Sequence, residues 1–303
     1  MGGLSMDNEH DGLQTPEIYI PTTLDEVISL KKQFGTDFTY VAGSTLLQLR
    51  WQIAQKIPKR LIHLEQISSL QQCESDETHL TIGAHTKLSD LRFNKNLEQV
   101  CPAIPYAVKS IAAPAVRNRG TVGGNVMGGE GDLIPLFLAM QAEMLFLTEE
   151  GYQTVPILEW LPTRQTVSKL LINIKVPLQT TSNTHTFYKK IGRRETFTAA
   201  IVTVAGQVTF TEEQTIGAMT LAIGGGGNKP LRLVESEEYL KGKALNTIDW
   251  KLLYREIVRQ YSPETDAFVT GSYKQKVAAN LLISALQNLF NTAINREVSL
   301  YEM

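Results

Sequence analysis

The chain reads as an α+β protein of two domains, and three observations carry that expectation. Through the first half, helical and strand-like hydrophobic periods follow one another irregularly instead of in a repeating β–α order. An alternating apolar run, Lys169–Val176, then ends at Pro177 and gives way to the polar, turn-rich Gln179–Asn183. Beyond that break, strand-like segments come first and helical ones after, the order of a small sheet covered by helices on one face. At 303 residues the length accommodates two units of roughly 150 residues.

Taken in order, Thr23-Leu24-Asp25-Glu26 has the S/T-x-x-E form of a capping box, and Leu24, Val27, Ile28 and Phe34 recur behind it at helical spacing. Thr39–Ala42 predicts a short strand that breaks at Gly43-Ser44, followed by a helical pattern of Leu46, Leu47, Leu49, Arg50 and Ile53. Arg60–Leu64 and His79–Ile82 read as strands, Lys87–Phe93 and Ala103–Ile111 as helices, and Asp132–Met140 as a buried helix. Glu143–Leu147 and Thr154–Ile157 return to strand. After the break, Thr184–Ile191, Ala199–Thr209 and Ala218–Ile223 are strands, and Leu233–Leu240, Ile248–Tyr261 and Ser272–Leu289 are helices. These give an N-terminal domain over 16–178 and a C-terminal domain over 184–303.

Composition excludes several classes. With 29 Lys+Arg against 31 Asp+Glu and no dense basic tract, the chain lacks the electrostatic footprint of a nucleic-acid binder. Its longest apolar stretches, such as Leu133–Met140, fall short of the roughly 18 residues that span a bilayer. Residues 1–15 are polar, with neither a basic nor an apolar signal-peptide region, and are expected to be a disordered leader or a cloning remnant. A cytoplasmic protein with reduced thiols is the expectation. Two cysteines, Cys73 and Cys101, cannot supply the four thiolates of an iron–sulfur cluster or a cysteine zinc site. The histidines show no ligand spacing, so no metal site is expected, and no local signature marks a catalytic dyad.

Two stretches have the residue types that hold an anionic ligand. In Val41-Ala42-Gly43-Ser44-Thr45-Leu46-Leu47 a strand breaks at glycine and a helix opens through Ser and Thr. Small residues let backbone amides approach an anion there, and the helix dipole adds to them; the bland alternative is an ordinary turn with Ser44 or Thr45 as N-cap. In Arg117-Asn118-Arg119-Gly120-Thr121-Val122-Gly123-Gly124-Asn125, three polar residues lead into paired glycines, which permit close backbone approach. Neither stretch completes a P-loop or a G-x-G-x-x-G fingerprint. Gly224–Gly227, followed by Asn-Lys-Pro, reads as a flexible turn.

The ordered motifs AGSTLL (Ala42–Leu47), LIHLEQI (Leu61–Ile67), LTIGAHTKLSDL (Leu80–Leu91) and AVRNRGTVGGN (Ala115–Asn125) resemble one family. It is that of the FAD-binding medium subunits of molybdenum hydroxylases, such as those of xanthine dehydrogenase and carbon monoxide dehydrogenase. The likeness continues through FYKKIGRRE (Phe187–Glu195), AIGGGGNKPLR (Ala222–Arg232) and YKQKVAANLL (Tyr273–Leu282). The resemblance implies a two-lobed FAD-binding domain of the PCMH/vanillyl-alcohol-oxidase type, with lobes at about 16–68 and 69–178. A flavoprotein C-terminal domain of three strands plus helices would follow it. It also implies site residues. Val41, Ala42, Gly43, Ser44, Thr45, Leu46 and Leu47 would wrap the FAD diphosphate, joined by Thr121, Gly123, Gly124 and Asn125. Ile111 and Ala112 would lie against the cofactor, Asp132 at its adenosine end, and Leu171 and Lys189 beside the flavin ring. For Asp132 the residues alone suggest a helix N-cap, and for Lys189 a solvated edge strand.

The same resemblance implies an electron-transfer role in a hetero-oligomer. An iron–sulfur small subunit would deliver electrons from a molybdenum-cofactor large subunit, and NAD or another acceptor would take them. The chain departs from the family pattern in two places. Ser44 stands where A-G-G is usual, and the 126–132 segment is shortened and carries Glu130. These motivate the alternatives of a fold-retaining subunit with weak FAD binding or a stand-alone flavin reductase.

Overall fold

The computed structural model describes residues 15–52, 58–164, 169–178, 183–193 and 200–301. Residues 1–14 of the expected leader, 179–182 of the expected break, Ile53, Arg194, Glu195 and Ala199 lie outside the described residues.

The first lobe is built from β1 (Glu17–Tyr19), α1 (Leu24–Phe34), β2 (Thr39–Val41), α2 (Thr45–Gln52) and β3 (Arg60–His63). Its three strands form a parallel sheet in the order β1-β3-β2. The Thr23 hydroxyl caps α1 by accepting from Glu26 N, and the Glu26 carboxylate reaches one residue further back than a capping box requires, to Thr22 N at 2.7 Å. Asp25 and Glu26 in the first turn and Lys31 and Lys32 in the last complement the helix dipole.

The second lobe adds β4 (Cys73–Ser75), β5 (His79–Gly83), α3 (Leu88–Phe93), α4 (Lys95–Val100), α5 (Ala103–Lys109), α6 (Pro114–Arg117), α7 (Val122–Met127) and α8 (Ile134–Ala139). It closes with β6 (Glu143–Thr148), β7 (Gly151–Pro156), α9 (Ile157–Thr163) and β8 (Leu170–Pro177). The strands make an antiparallel sheet, β4-β5-β8-β6-β7. Strands β1 and β4 span three residues each, too short to leave a periodic signal. Arg117–Asn125, read from the sequence as a glycine-rich loop, instead runs from the end of α6 into the short helix α7. Pro114 opens the first and the Thr121 side chain caps the second.

The third layer is an antiparallel sheet, β12-β11-β10-β9, of β9 (Thr184–Gly192), β10 (Ala200–Phe210), β11 (Ile216–Gly225) and β12 (Asn228–Arg232). It is followed by α10 (Val234–Leu240), α11 (Trp250–Gln260) and α12 (Gly271–Tyr301). Two sequence expectations change here. The sheet has four strands, not three, because Gly225, Gly226 and Gly227 all take positive φ and turn the chain straight back. That turn is packed, not loose: the buried Asn228 donates from Nδ2 to Gly225 O at 2.7 Å. The sheet is also covered on both faces. Val202, Val204, Leu221 and Ile223 join the core under α10–α12, while Ala205 and Ala222 join the core around α8. Burial on both faces is why β10 and β11 read as nearly continuous apolar runs. The wholly buried α8 thus locks the C-terminal sheet onto the second lobe, and the Thr220 hydroxyl donates to Ala139 O across the contact. No helix among the described residues is long and apolar enough to cross a membrane.

Candidate functional site

The two stretches singled out from the sequence meet. They line a cleft of about 500 Å³ between the first lobe, the second lobe and the β11–β12 turn, a size suited to a cofactor. Val41 through Leu47 form one wall, and Ile111 and Ala112 with Thr121, Gly124 and Asn125 form the other. Gly128, Glu130 and Gly131 close one side, with Gly227 contributed from the C-terminal sheet.

The first wall follows from parallel pairing. Strand β2 ends at Val41, whose carbonyl accepts from Leu64 N at 2.9 Å, and the chain turns through Gly43-Ser44 into α2. The first amides of α2, at Thr45 to Leu47, have no acceptor within their own helix. Gly43 packs on the second wall: a side chain there would overlap the backbone carbonyl of Arg119. Ser44 holds φ 61° and Ala112 φ 46°, so two non-glycine residues in left-handed backbone face one cleft. Ser44→Gly relieves that conformation and is expected to raise stability by about 0.5–1 kcal/mol. Thermal unfolding of the two proteins checks it.

The second wall is held from behind. Thr86 O accepts from Val122 N at 3.0 Å, Ala84 O from Gly123 N at 2.7 Å, and Thr121 Oγ1 from Gly124 N at 3.0 Å. The leading amides of α7 are therefore spent inside the protein, and this segment offers the cleft its carbon surface. Gly123 faces inward, where a methyl group would lie 2.7 Å from Ala84 O. Gly124 is exposed, and a methyl group there meets only the Thr121 hydroxyl, at 3.1 Å. The Asn125 side chain accepts from Leu133 N at 3.1 Å and so ties α7 to the approach of α8. Between the backbone ties at Ala84 and Thr86 sits His85, 4% exposed, with neither ring nitrogen hydrogen-bonded in the described structure. Burial pushes its pKa below the usual histidine value and keeps the ring neutral.

Four expected site residues do not line the cleft: the inward-facing Gly123, Leu171, Asp132 and Lys189. Leu171 lies in the central core at 3% exposure, paired across the sheet with Phe146. Asp132 caps no helix; its carboxylate accepts from Lys190 Nζ at 2.7 Å, and Thr203 Oγ1 lies 3.5 Å away. Lys189 is exposed, and the reason is strand parity. Tyr188 and Lys190 share the β9 face that meets the second lobe, so Lys189 points the other way. Arg193 of the same stretch stacks on Phe268 at 3.9 Å.

Sequence reasoning gave no role to Arg117, which is 3% exposed and donates from one guanidinium nitrogen to Ile111 O at 2.7 Å and Ala112 O at 2.5 Å. Glu130 is the one charged side chain on the cleft wall among the described residues. The cysteines take no part: burial pushes the Cys73 and Cys101 thiols up to about 11. The arrangement of free helix-start amides, small residues and the open face of Gly124 fits an extended anionic cofactor such as FAD.

Comparison with known proteins gives the same direction. Residues 13–179 match the family model of the FAD binding domain in molybdopterin dehydrogenase, and residues 186–289 match that of the CO dehydrogenase flavoprotein C-terminal domain. The glyceraldehyde dehydrogenase medium chain of Sulfolobus acidocaldarius is 26% identical over 86% of this chain and 94% of its own. The carbon monoxide dehydrogenase medium chain of Hydrogenophaga pseudoflava is 26% identical over 89% of this chain and 95% of its own. A solved structure of that organism's carbon monoxide dehydrogenase superposes with a TM-score of 0.84, covering 90% of this chain and 96% of the other.

Proposed function

The chain belongs to the family of FAD-binding domains of molybdopterin dehydrogenases, and from that membership we propose that it is the electron-transferring flavoprotein subunit of a molybdenum hydroxylase complex. FAD, when bound, supplies the capacity to take up and release electrons; the chain supplies position and electrostatics. Substrate would be oxidised on a large subunit carrying the molybdenum cofactor. An iron–sulfur small subunit would deliver the electrons, and NAD or another acceptor would remove them. Residues 16–178 are the cofactor-holding unit of this proposal, and 184–303 the unit that buttresses it.

The observation that carries it is the meeting of Val41–Leu47 with Ile111, Ala112, Thr121, Gly124 and Asn125 around one cleft. We assign the start of α2 to the diphosphate, Gly124 to van der Waals contact, and Ile111 and Ala112 to the facing wall. No side chain acting as acid or base is called for, in keeping with a site walled by small and apolar residues. Visible absorption of the purified chain, alone and with co-purified partners, tests it. A yellow protein with flavin bound to each chain is expected; a colourless one that takes up no added FAD overturns it.

A further inference from the structure

The cleft has an electrostatic imbalance. Its wall carries one carboxylate, Glu130, and no lysine or arginine among the described residues. A diphosphate ligand would add two more negative charges to that site. The first amides of α2 supply partial positive charge at a helix start, worth about half an elementary charge.

A full positive charge lies one layer behind. Arg117 ends α6 beside the lining residue Val116. Its guanidinium is buried, spends its bonds on the carbonyls of Ile111 and Ala112, and pairs with no carboxylate among the described residues. A buried charge without a counter-ion is costly, and here it stands behind the wall formed by Ile111 and Ala112. Ile111 and Ala112 line the cleft directly, while Gly120, three residues on, approaches the Thr45 hydroxyl at the start of α2. Holding the two carbonyls also fixes the left-handed turn at Ala112.

Resting on the flavoprotein assignment above, we infer that Arg117 is a positioning residue and the counter-charge for the anionic diphosphate of the bound cofactor. It acts through the cleft wall without touching the ligand.

Titrating the full-length apoprotein with FAD, ADP and riboflavin separates charge from shape. Arg117→Lys keeps the charge and a donor; Arg117→Gln keeps donors and removes the charge. The glutamine variant is expected to bind FAD and ADP roughly tenfold more weakly, the scale of one partly screened charge interaction. Riboflavin, which lacks phosphate, should bind it as it binds the parent. The lysine variant should stay within about threefold of the parent for all three ligands. Equal losses for riboflavin and FAD, equal losses in both variants, or failure of both to fold would reduce Arg117 to a structural brace and overturn the inference. A parent chain that binds neither FAD nor ADP would instead overturn the flavoprotein assignment itself.

Discussion

Gly124→Leu is expected to strip the protein of FAD while leaving it folded. Gly124 sits in α7, exposed to the cleft, where an added methyl group meets only the Thr121 hydroxyl. A first carbon there displaces that hydroxyl by a few tenths of an ångström, and glycine is a poor helix residue, so stability should change by less than about 1 kcal/mol. The remaining carbons have nowhere to go but the cleft. Gly43→Ala should act through the fold itself. Its single methyl group falls on the Arg119 carbonyl, and two backbone segments must separate. The cost is about 3 kcal/mol, the upper range for overpacking, with FAD affinity lost because the walls no longer meet. Flavin absorption and urea unfolding on both variants decide the matter. Flavin retained by Gly124→Leu, or a Gly43→Ala protein as stable as the parent, would show the cleft to be wrongly assigned.

This contrast marks how far the sequence could be followed. Small residues at a strand-to-helix break and paired glycines behind Thr121 are local signals, and both stretches reach the cleft. What each glycine does is not local. Gly43, Gly123 and Gly124 look alike in sequence, yet one faces Arg119, one Ala84 and one open space, and each neighbour is set by tertiary packing. The same limit explains the two lysines of β9. A period of two guarantees that Lys189 and Lys190 face opposite ways, but which one faces inward depends on register with β10, where Lys190 stands opposite Thr203. The fourth strand was hidden because the four glycines before Asn-Lys-Pro resemble a loose loop until Asn228 is seen bonded into the turn. The second covering of the C-terminal sheet was hidden for another reason: α8 lies more than 60 residues before the strands it covers.

The partner of Asp132 was equally out of reach, lying 58 residues along the chain, and it sets up the second large effect. Lys190 and Asp132 form an ion pair with side chains only 7% and 14% exposed, and the ammonium also donates to Ser110 O at 2.9 Å. The pair joins β9 to the 126–132 segment, whose Gly128, Glu130 and Gly131 line the cleft. Lys190→Met leaves a mostly buried carboxylate without its counter-ion and is expected to cost about 3–5 kcal/mol. Adding Asp132→Leu removes the stranded charge, and the double variant should recover most of that loss, since apolar replacements of a buried pair are often neutral. Denaturant unfolding measures both changes. FAD titration of the recovered double variant then separates two roles for Asp132. If the carboxylate serves only to latch β9 to the cleft segment, a refitted apolar contact restores FAD binding along with stability. If Asp132 instead contacts the adenosine end of the cofactor, the double variant folds and still binds FAD poorly. The 2.7 Å bond to Lys190 and the absence of Asp132 from the cleft wall favour the first outcome, because a carboxylate committed to a buried lysine has little left to offer a ligand.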